Sequence, residues 1–566
     1  MVAGARTFSL EDTFLSPQIL NPPPTRHALL AFLLALAAVF HIGTAAWGDL
    51  TDGIEGQIAA GAREMVQSRQ WLLPTNNGTP VLDLPPLTYW TVAASYKIFG
   101  VSTSAARIPI ALVMIGSVAL TFLIGERLAG YWRGFAAGLL HVCSFGGLVQ
   151  GRIVSPGPVT GLFVAGAIYC AVCGYQHRKR RRVWFATFAF CTALACLSGG
   201  LHTAIYPVGV CLLLAFFYSE ARTRFRPLLH WPNVLLYLFV VAPWFVWVHL
   251  RFPGFWDDAF TNTFAINVPR FLRESLTAWF PALFLILPGL IATPRKIFRP
   301  DEFDAADALP LIWIGLALLG VGLFSGKVDG VAAIGLPAFA LFGASAWQRI
   351  SRGLRTIGII LVLLAGLAAY SVLVFNPALL EEIFDRALPD WLWFSMRPLA
   401  QIGLAALLIF SLGAAFAASR QRAEVTLLLA IGAMAPIGFC VTEGRSRSAT
   451  FFSLADAAQY LNPRLGTSGS VVFEGDLRGG SSLSFYLEKR FFFVNQRPGG
   501  FEPDSEAQGK YLDEHSLLEA WERSAPIYLI IEEERVSHWR KSITQQVHIY
   551  HQVTTCGSRV ILSNQL

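Results

Sequence analysis

Residues 28–47 read A-L-L-A-F-L-L-A-L-A-A-V-F-H-I-G-T-A-A-W. No Asp, Glu, Lys or Arg interrupts the run, and its length is about the 20 residues that a helix needs to cross hydrocarbon. The segment before it is polar and carries Pro22, Pro23 and Pro24. No clear small-residue cleavage site follows, so the run reads as a first membrane helix rather than a removable leader.

Working outward, similar runs recur at 105–125, 134–150, 157–175, 184–199, 202–219, 233–250, 278–293, 309–325, 331–348, 357–376, 398–419 and 424–441. The pattern predicts a mainly α fold, a polytopic bundle of about thirteen membrane helices. Composition agrees, since only 14% of the 566 residues are charged and 54% are hydrophobic, against about 25% charged in soluble domains. The net charge of +7 gathers at span ends and is not a nucleic-acid footprint. His177–Arg182, Arg222/Arg224/Arg226, Arg295/Lys296/Arg299, Arg349/Arg352/Arg355 and Arg420/Arg422 all fall on one side if the N-terminus is cytoplasmic. Residues 1–27 are then a cytoplasmic segment, 28–441 the membrane domain, and 48–104, 251–277 and 377–397 outer loops.

The tail, 442–566, changes character. Strand-like pieces at Val471–Glu474, Arg490–Asn495, Ile527–Glu532 and Arg559–Ser563 alternate with helix-like Leu454–Leu461 and Leu517–Arg523. These predict a small α/β domain on the outer face. Of eight cysteines, Cys143, Cys170, Cys173, Cys191, Cys196, Cys211 and Cys440 lie in apolar stretches and read as small core residues. Cys556 stands alone outside them, so no disulfide between soluble cysteines is available.

The first outer loop carries the chemistry. Glu55–Val66 has helical periodicity, with Ile58, Ala62 and Met65 on one face and Arg63 and Glu64 on another. Asp52 and Glu55 are three apart at its start and can converge on one side; helix capping is the competing role for both. Asp83 precedes Pro85-Pro86, which stiffen the backbone and disfavour helix. It reads as an acid held at a fixed corner beside the membrane, or as an exposed turn residue.

The order of motifs resembles the GT-C superfamily of membrane glycosyltransferases, on the branch of protein O-mannosyltransferases and lipid A aminoarabinose transferases. The resemblance runs through Ala62-Arg63-Glu64-Met65, Trp71-Leu72-Leu73-Pro74, Gly78, Asp83-Leu84-Pro85-Pro86, Tyr89-Trp90, Phe99-Gly100, Ala106-Arg107-Ile108-Pro109 and Gly151-Arg152. It continues at Pro243-Trp244-Phe245, Pro253-Gly254-Phe255, Phe324-Ser325, Lys327 and Ser484-Phe485-Tyr486-Leu487. The chain departs from the branch at Ile54, Leu84 and Gly157, where an Asp, a Lys and an Asp are usual. It departs again at Ser198-Gly199-Gly200, where Lys-Gly-Pro is usual, and it lacks the histidine common after Pro-Gly-Phe.

The resemblance implies transfer of a sugar from a polyprenyl-phosphate carrier to a hydroxyl of a lipid, glycan or protein, on the outer face of a bacterial inner membrane. On that mapping Glu55, with Asp52 as rival, takes the acceptor proton. Asp83 stands at the family's corner acid, where it helps to order the site or hold a divalent metal. Arg63, Arg152, Arg270 and Lys327 are the candidate donor-phosphate cations, and Arg107 reads as an anchor. The same fold binding lipid-linked glycans without catalysis is the alternative. A transporter is disfavoured, because ionisable residues gather at one face and no paired halves are evident.

Overall fold

The computed structural model describes residues 25–256, 277–281, 283, 284, 287, 305–324, 332–375, 389–496, 509–523, 525–546 and 549–565. Seven of its helical stretches, Ala423–Phe452 among them, are long and apolar enough to cross a membrane, and four shorter apolar helices accompany them. The chain is an integral, multi-pass membrane protein. The predicted span at 278–293 lies mostly outside the described residues, as do Arg270 and Lys327.

The first membrane helix, α1 (Arg26–His41), begins at Thr25, whose hydroxyl accepts from the Ala28 N–H at 3.3 Å. Leu29, Leu33, Ala37 and Phe40 form its buried stripe, while Phe32 and Val39 face outward, as expected where lipid replaces water on one side. After the loop 42–53 comes α2 (Ile54–Ser68), then a hairpin of β1 (Thr75–Asn76) and β2 (Thr79–Pro80), then α3 (Leu87–Phe99). Asn77 and Gly78 both hold positive φ, at 51° and 75°, the turn that Asn-Gly favours between paired strands. The helix α4 (Thr103–Ala129) returns across the bundle.

The span expected at 134–150 is two helices, α5 (Tyr131–Val142) and α6 (Phe145–Gln150). The break falls at Cys143-Ser144, where the Ser144 hydroxyl accepts from the Gly147 N–H at 3.0 Å and starts the second helix. Next come α7 (Pro156–Gln176) and α8 (Arg181–Gly199). The span expected at 424–441 also differs. It divides into Ala423–Gly432 and Met434–Phe452, and the second helix runs well past Val441. Glu443, Arg445 and Arg447 therefore sit on a helix continuous with the bundle.

Beyond Phe452 a six-stranded sheet runs in the order β5-β4-β3-β6-β8-β7: Tyr511–Leu512, Phe492–Val494, Ser470–Glu474, Ile527–Glu532, Arg559–Ser563 and His551–Cys556. The first four strands in that order are parallel, and β8 and β7 are antiparallel. Side chains alternate across a strand. Val471, Phe473 and Ile530 accordingly join one core with Leu454 and Leu461. Val472, Leu529 and Ile531 join the other with Trp521 and Trp539. Burial on both faces explains the continuous apolar runs of β3, β6 and β8.

Candidate functional site

The loop 42–53 is held by its backbone. Arg107, in the first turns of α4 and 3% exposed, points its guanidinium into the loop. Its Nη1 donates to the carbonyls of Trp47 at 2.9 Å and Gly48 at 2.7 Å, and its Nη2 to Asp49 at 2.8 Å. Arg152, between α6 and α7, donates from Nη2 to Thr44 at 2.6 Å and Trp47 at 3.3 Å. Loop carbonyls leave the bundle here without helical partners, and two arginines supply the missing donors.

Glu55 fixes Arg107 together with a third arginine, Arg445. It lies in the first turn of α2 and is 1% exposed. Its Oε1 accepts from Arg107 Nε at 3.0 Å, and its Oε2 from Arg445 Nη2 at 3.1 Å. The Thr51 N–H and hydroxyl add bonds to Oε2 at 3.3 and 3.2 Å. Burial alone would push the carboxyl up, but Arg107, then Arg445, outweigh it and hold the pKa down at about 2. Burial, then repulsion from Arg107 and Arg445, pushes Arg152 down to about 10, with Glu55 opposing. Asp49 is the other carboxylate in reach. Its pKa is raised by burial and by Asp456, and its Oδ1 accepts from Tyr486 Oη at 3.5 Å. Three guanidiniums thus face two carboxylates, and the cluster keeps an excess of positive charge.

The other acids of the loop have different work. Asp52 Oδ1 accepts from the Ser482 N–H at 2.9 Å and its hydroxyl at 2.6 Å. Ser482 is the second residue of the short helix Ser481–Tyr486, which follows the glycine-bearing turn after β3. Glu64 accepts from Thr75 Oγ1 at 2.6 Å and from the Gly78 N–H at 3.2 Å, and so closes the hairpin. Asp83 is exposed between buried Leu82 and Leu84. Leu82 packs with Trp244 and Phe245, and Leu84 with Tyr89 and Ile110. With both neighbours drawn inward, the acid points out. It has no hydrogen bond or ion pair among the described residues. It lies within electrostatic reach of Tyr89, whose hydroxyl accepts from Gln57 on α2 at 3.4 Å.

Of the sequence candidates, Glu55 and Arg152 come together around the loop. Asp52 and Arg63 turn instead to the C-terminal unit. Arg63 donates to the carbonyls of Phe485 at 2.6 Å and Leu487 at 3.1 Å, so two of its donors serve the end of the helix Ser481–Tyr486 rather than an open anion site. Arg445 was not legible as a site residue. It follows an apolar run and reads as a flanking charge, and no spacing rule ties it to Glu55. Arg107 holds the anchoring place that its motif implied. Leu84, where the branch has a lysine, is 4% exposed and part of the core. Among the described residues no three His, Cys, Asp or Glu side chains gather in a metal-binding arrangement. Among the described residues Asp83 has no second acid or imidazole that would complete a metal shell with it.

The family described as dolichyl-phosphate-mannose-protein mannosyltransferase matches residues 83–247. The undecaprenyl phosphate-alpha-4-amino-4-deoxy-L-arabinose arabinosyl transferase 1 of Pseudomonas fluorescens is 29% identical over 353 residues, covering 58% of this chain and 60% of that protein. An uncharacterized protein of Aquifex aeolicus is 25% identical over 301 residues, 51% of this chain and 58% of its own length. The chain thus spans about three-fifths of the length of these curated relatives. The structure of ArnT from Cupriavidus metallidurans bound to undecaprenyl phosphate superposes with a TM-score of 0.79 at 20% identity, covering 94% of this chain and 98% of that one. The chain has the fold of the GT-C membrane glycosyltransferases and is similar to their O-mannosyltransferase and aminoarabinose-transferase branch.

Proposed function

We propose that this chain transfers a sugar from a polyprenyl-phosphate carrier to a hydroxyl acceptor, at the membrane face that carries the C-terminal unit. The observation that carries the reading is the excess positive charge of Arg107, Arg152 and Arg445 around a buried carboxylate, next to a membrane-embedded bundle. Such a cluster suits the phosphate that a departing sugar leaves behind. Arginine adds forked donors that match phosphate oxygens.

In the step itself the acceptor oxygen bonds to the anomeric carbon. The carbon–oxygen bond to phosphate breaks, and its electron pair stays on the phosphate. The acceptor proton passes to a carboxylate. Glu55 is ill suited to that transfer, because both its oxygens are engaged and its pKa near 2 makes it a weak base. Its role in this reading is to order Arg107 and Arg445. Asp83, exposed and without a bonded partner among the described residues, takes the proton. No step runs through a metal. The fold likeness to ArnT and the name of the Pseudomonas relative support a pentosyl or hexosyl donor on an undecaprenyl-type carrier. The same likeness and the arginine-rich loops at the opposite end support a bacterial inner membrane with the C-terminal unit outside. The acceptor is a lipid, glycan or protein hydroxyl. Buried Leu84 in place of a lysine favours a second reading, carrier binding without transfer.

Membranes carrying the wild type, Asp83→Asn or an empty vector, supplied with labelled polyprenyl-phosphate sugars, test the proposal. Transfer by the wild type that falls at least about 100-fold in Asp83→Asn supports it. Carrier binding with no transfer from any donor favours the second reading.

A further inference from the structure

The end of the bundle opposite the first loop carries its own concentration of charge. The connection between α7 and α8 reads His177-Arg178-Lys179-Arg180, and Arg181 and Arg182 open α8. The other end of α8 meets the first loop, where Ala193, Cys196 and Leu197 pack with Leu82. Both helices have the length and apolar composition to cross a membrane, so the basic turn stands at the far membrane surface. A second basic connection joins it there. The helix Ser219–Phe225 sets the Phe225 ring 5.6 Å from Tyr175 and 6.4 Å from Phe185, and Arg224 Nη1 donates to the Tyr175 carbonyl at 3.3 Å.

Some of these cations already have work. Arg224 pairs with Glu220 and Arg26 with Glu126. Arg222 donates to the carbonyls of Ala215 at 3.2 Å and Phe216 at 3.3 Å. Arg127 Nη1 donates to His177 Nε2 at 2.7 Å, and Arg181 Nε to the Gly174 carbonyl at 3.3 Å. Arg178, Lys179, Arg180 and Arg182 are exposed, and their side chains have no hydrogen bond or ion pair among the described residues. They also crowd the wrong end of a helix. The start of α8 is the positive pole of its dipole, no acid lies in its first turn, and no side chain caps it. A membrane-orientation signal asks for cations on this side. Cations ending α7 would meet that need and complement the dipole as well. Placement at the start of α8 instead builds a surface that calls for an anion. Below Arg180, on the same side of α8, Val183 and Phe190 are exposed. A cationic cap above an apolar stripe matches an amphiphile with a negative head.

We propose that Arg178, Lys179, Arg180 and Arg182 dock the phosphate head groups of anionic phospholipids, in the leaflet opposite the C-terminal unit. The acyl chains lie along Val183 and Phe190. Clusters of Lys and Arg at the end of a spanning helix attract such lipids. Here the head group also supplies the negative charge that the start of α8 lacks, so its binding strengthens the α7–α8 pair. The surface lies at the far end of the bundle from Asp83 and stands independently of sugar transfer.

The test titrates full-length protein in detergent with phosphatidylglycerol or phosphatidylcholine of the same acyl chains, read by native mass spectrometry. Unfolding midpoints are followed with each lipid and with inorganic phosphate. The wild type is compared with Arg180→Gln/Arg182→Gln, with Arg180→Lys/Arg182→Lys, and with Arg420→Gln/Arg422→Gln, which removes equal charge from another turn on the same side. The expected result is phosphatidylglycerol binding about 30-fold weaker in Arg180→Gln/Arg182→Gln, with phosphatidylcholine unaffected. The Lys pair and the 420/422 pair should bind as the wild type does. Before lipid is added, the Gln pair at 180 and 182 should unfold no lower than the wild type, because repulsion at the helix start is relieved. Should that variant not fold, Arg178→Gln/Lys179→Gln, in the turn outside both helices, carries the same expectation for binding. Wild-type affinity for phosphatidylglycerol in the folded variant overturns the proposal, as does equal wild-type affinity for the two lipids. An equal loss in the 420/422 pair overturns it too, by showing a diffuse field. A midpoint raised as much by inorganic phosphate as by phosphatidylglycerol overturns the assignment to lipid.

Discussion

Asp52 accepts two hydrogen bonds from Ser482, at 2.9 Å from its backbone N–H and 2.6 Å from its hydroxyl. One residue stands in the first loop of the bundle and the other in the C-terminal unit. Around them, Ser481 Oγ bonds the Gly53 N–H and carbonyl, both at 2.9 Å, and the Gly53 N–H also reaches the Arg478 carbonyl at 3.0 Å. The turn after β3 therefore seats a carboxylate from the membrane domain on its own backbone N–H.

Asp52→Ala should loosen that union. Two bonds to a carboxylate are lost and the Ser482 N–H is left without its acceptor, so a cost of about 2 kcal/mol is expected. Limited proteolysis near Ser453, at the junction of bundle and sheet, should be several-fold faster than in the wild type. An unchanged digestion rate would show that the contact contributes little.

Glu55→Gln leaves buried Arg107, and Arg445 beside it, without their counter-charge. A loss of about 3–5 kcal/mol is expected, read as a lower unfolding midpoint in detergent. Combined with Arg107→Leu, it should cost less than the sum of the two single substitutions, since the two positions share one interaction.

Acid should act through the same carboxyl. The pKa of Glu55 is depressed from an ordinary 4.5 to about 2. A depressed folded pKa contributes stability that is fully present above the ordinary value and is lost as pH falls toward the folded one. Unfolding midpoints should therefore be insensitive to this group from pH 7 down to about 5, then fall between pH 4.5 and 2. Glu55→Gln should lack that component of the acid slope.

Asp83→Asn separates chemistry from stability. The side chain is exposed and unbonded among the described residues, so its unfolding midpoint should match the wild type within about 0.5 kcal/mol. Transfer should fall while carrier affinity stays near the wild-type value. Retained transfer would remove Asp83 from the proposed chemistry.

Gly56→Ala tests the close approach of α2 to the C-terminal unit. Alanine usually favours a helix by about 1 kcal/mol over glycine. Here the added Cβ would lie 2.7 Å from Ser482 N and 2.8 Å from Ser481 Oγ. Backbone cannot easily yield, so the substitution should destabilise by about 1–3 kcal/mol, with the sign opposite to propensity. A higher midpoint would contradict the tight contact.

Much of the bundle was legible, because the bilayer imposes one length on every crossing helix. The breaks within spans were not. Cys143-Ser144 is as apolar in its surroundings as any uninterrupted span, and only the capping bond of Ser144 to Gly147 marks the new start. In the tail, β3, β6 and β8 could be read from their apolar runs, whereas β7, H-Q-V-T-T-C, is an edge strand too polar to announce itself. The site was legible where chemistry is local. Asp83 before Pro85-Pro86 reads as a held corner, and the buried leucines on either side complete the reason. Glu55 was singled out as an acceptor-proton base, but its partners Arg107 and Arg445, which give it another role, come from distant helices that no sequence spacing connects to it. Arg63 could not be sorted from phosphate-facing cations, because its carbonyl partners, Phe485 and Leu487, belong to another unit.

Arg107 and Arg152 grip the first loop through the carbonyls of Thr44, Trp47, Gly48 and Asp49. A carbonyl is the same whatever side chain it belongs to. The stretch 44–49 can therefore change its residues with little penalty, yet inserting or deleting even one would carry every following oxygen out of register with donors fixed on two separate helix ends. What this loop encodes is a count of residues rather than their identities.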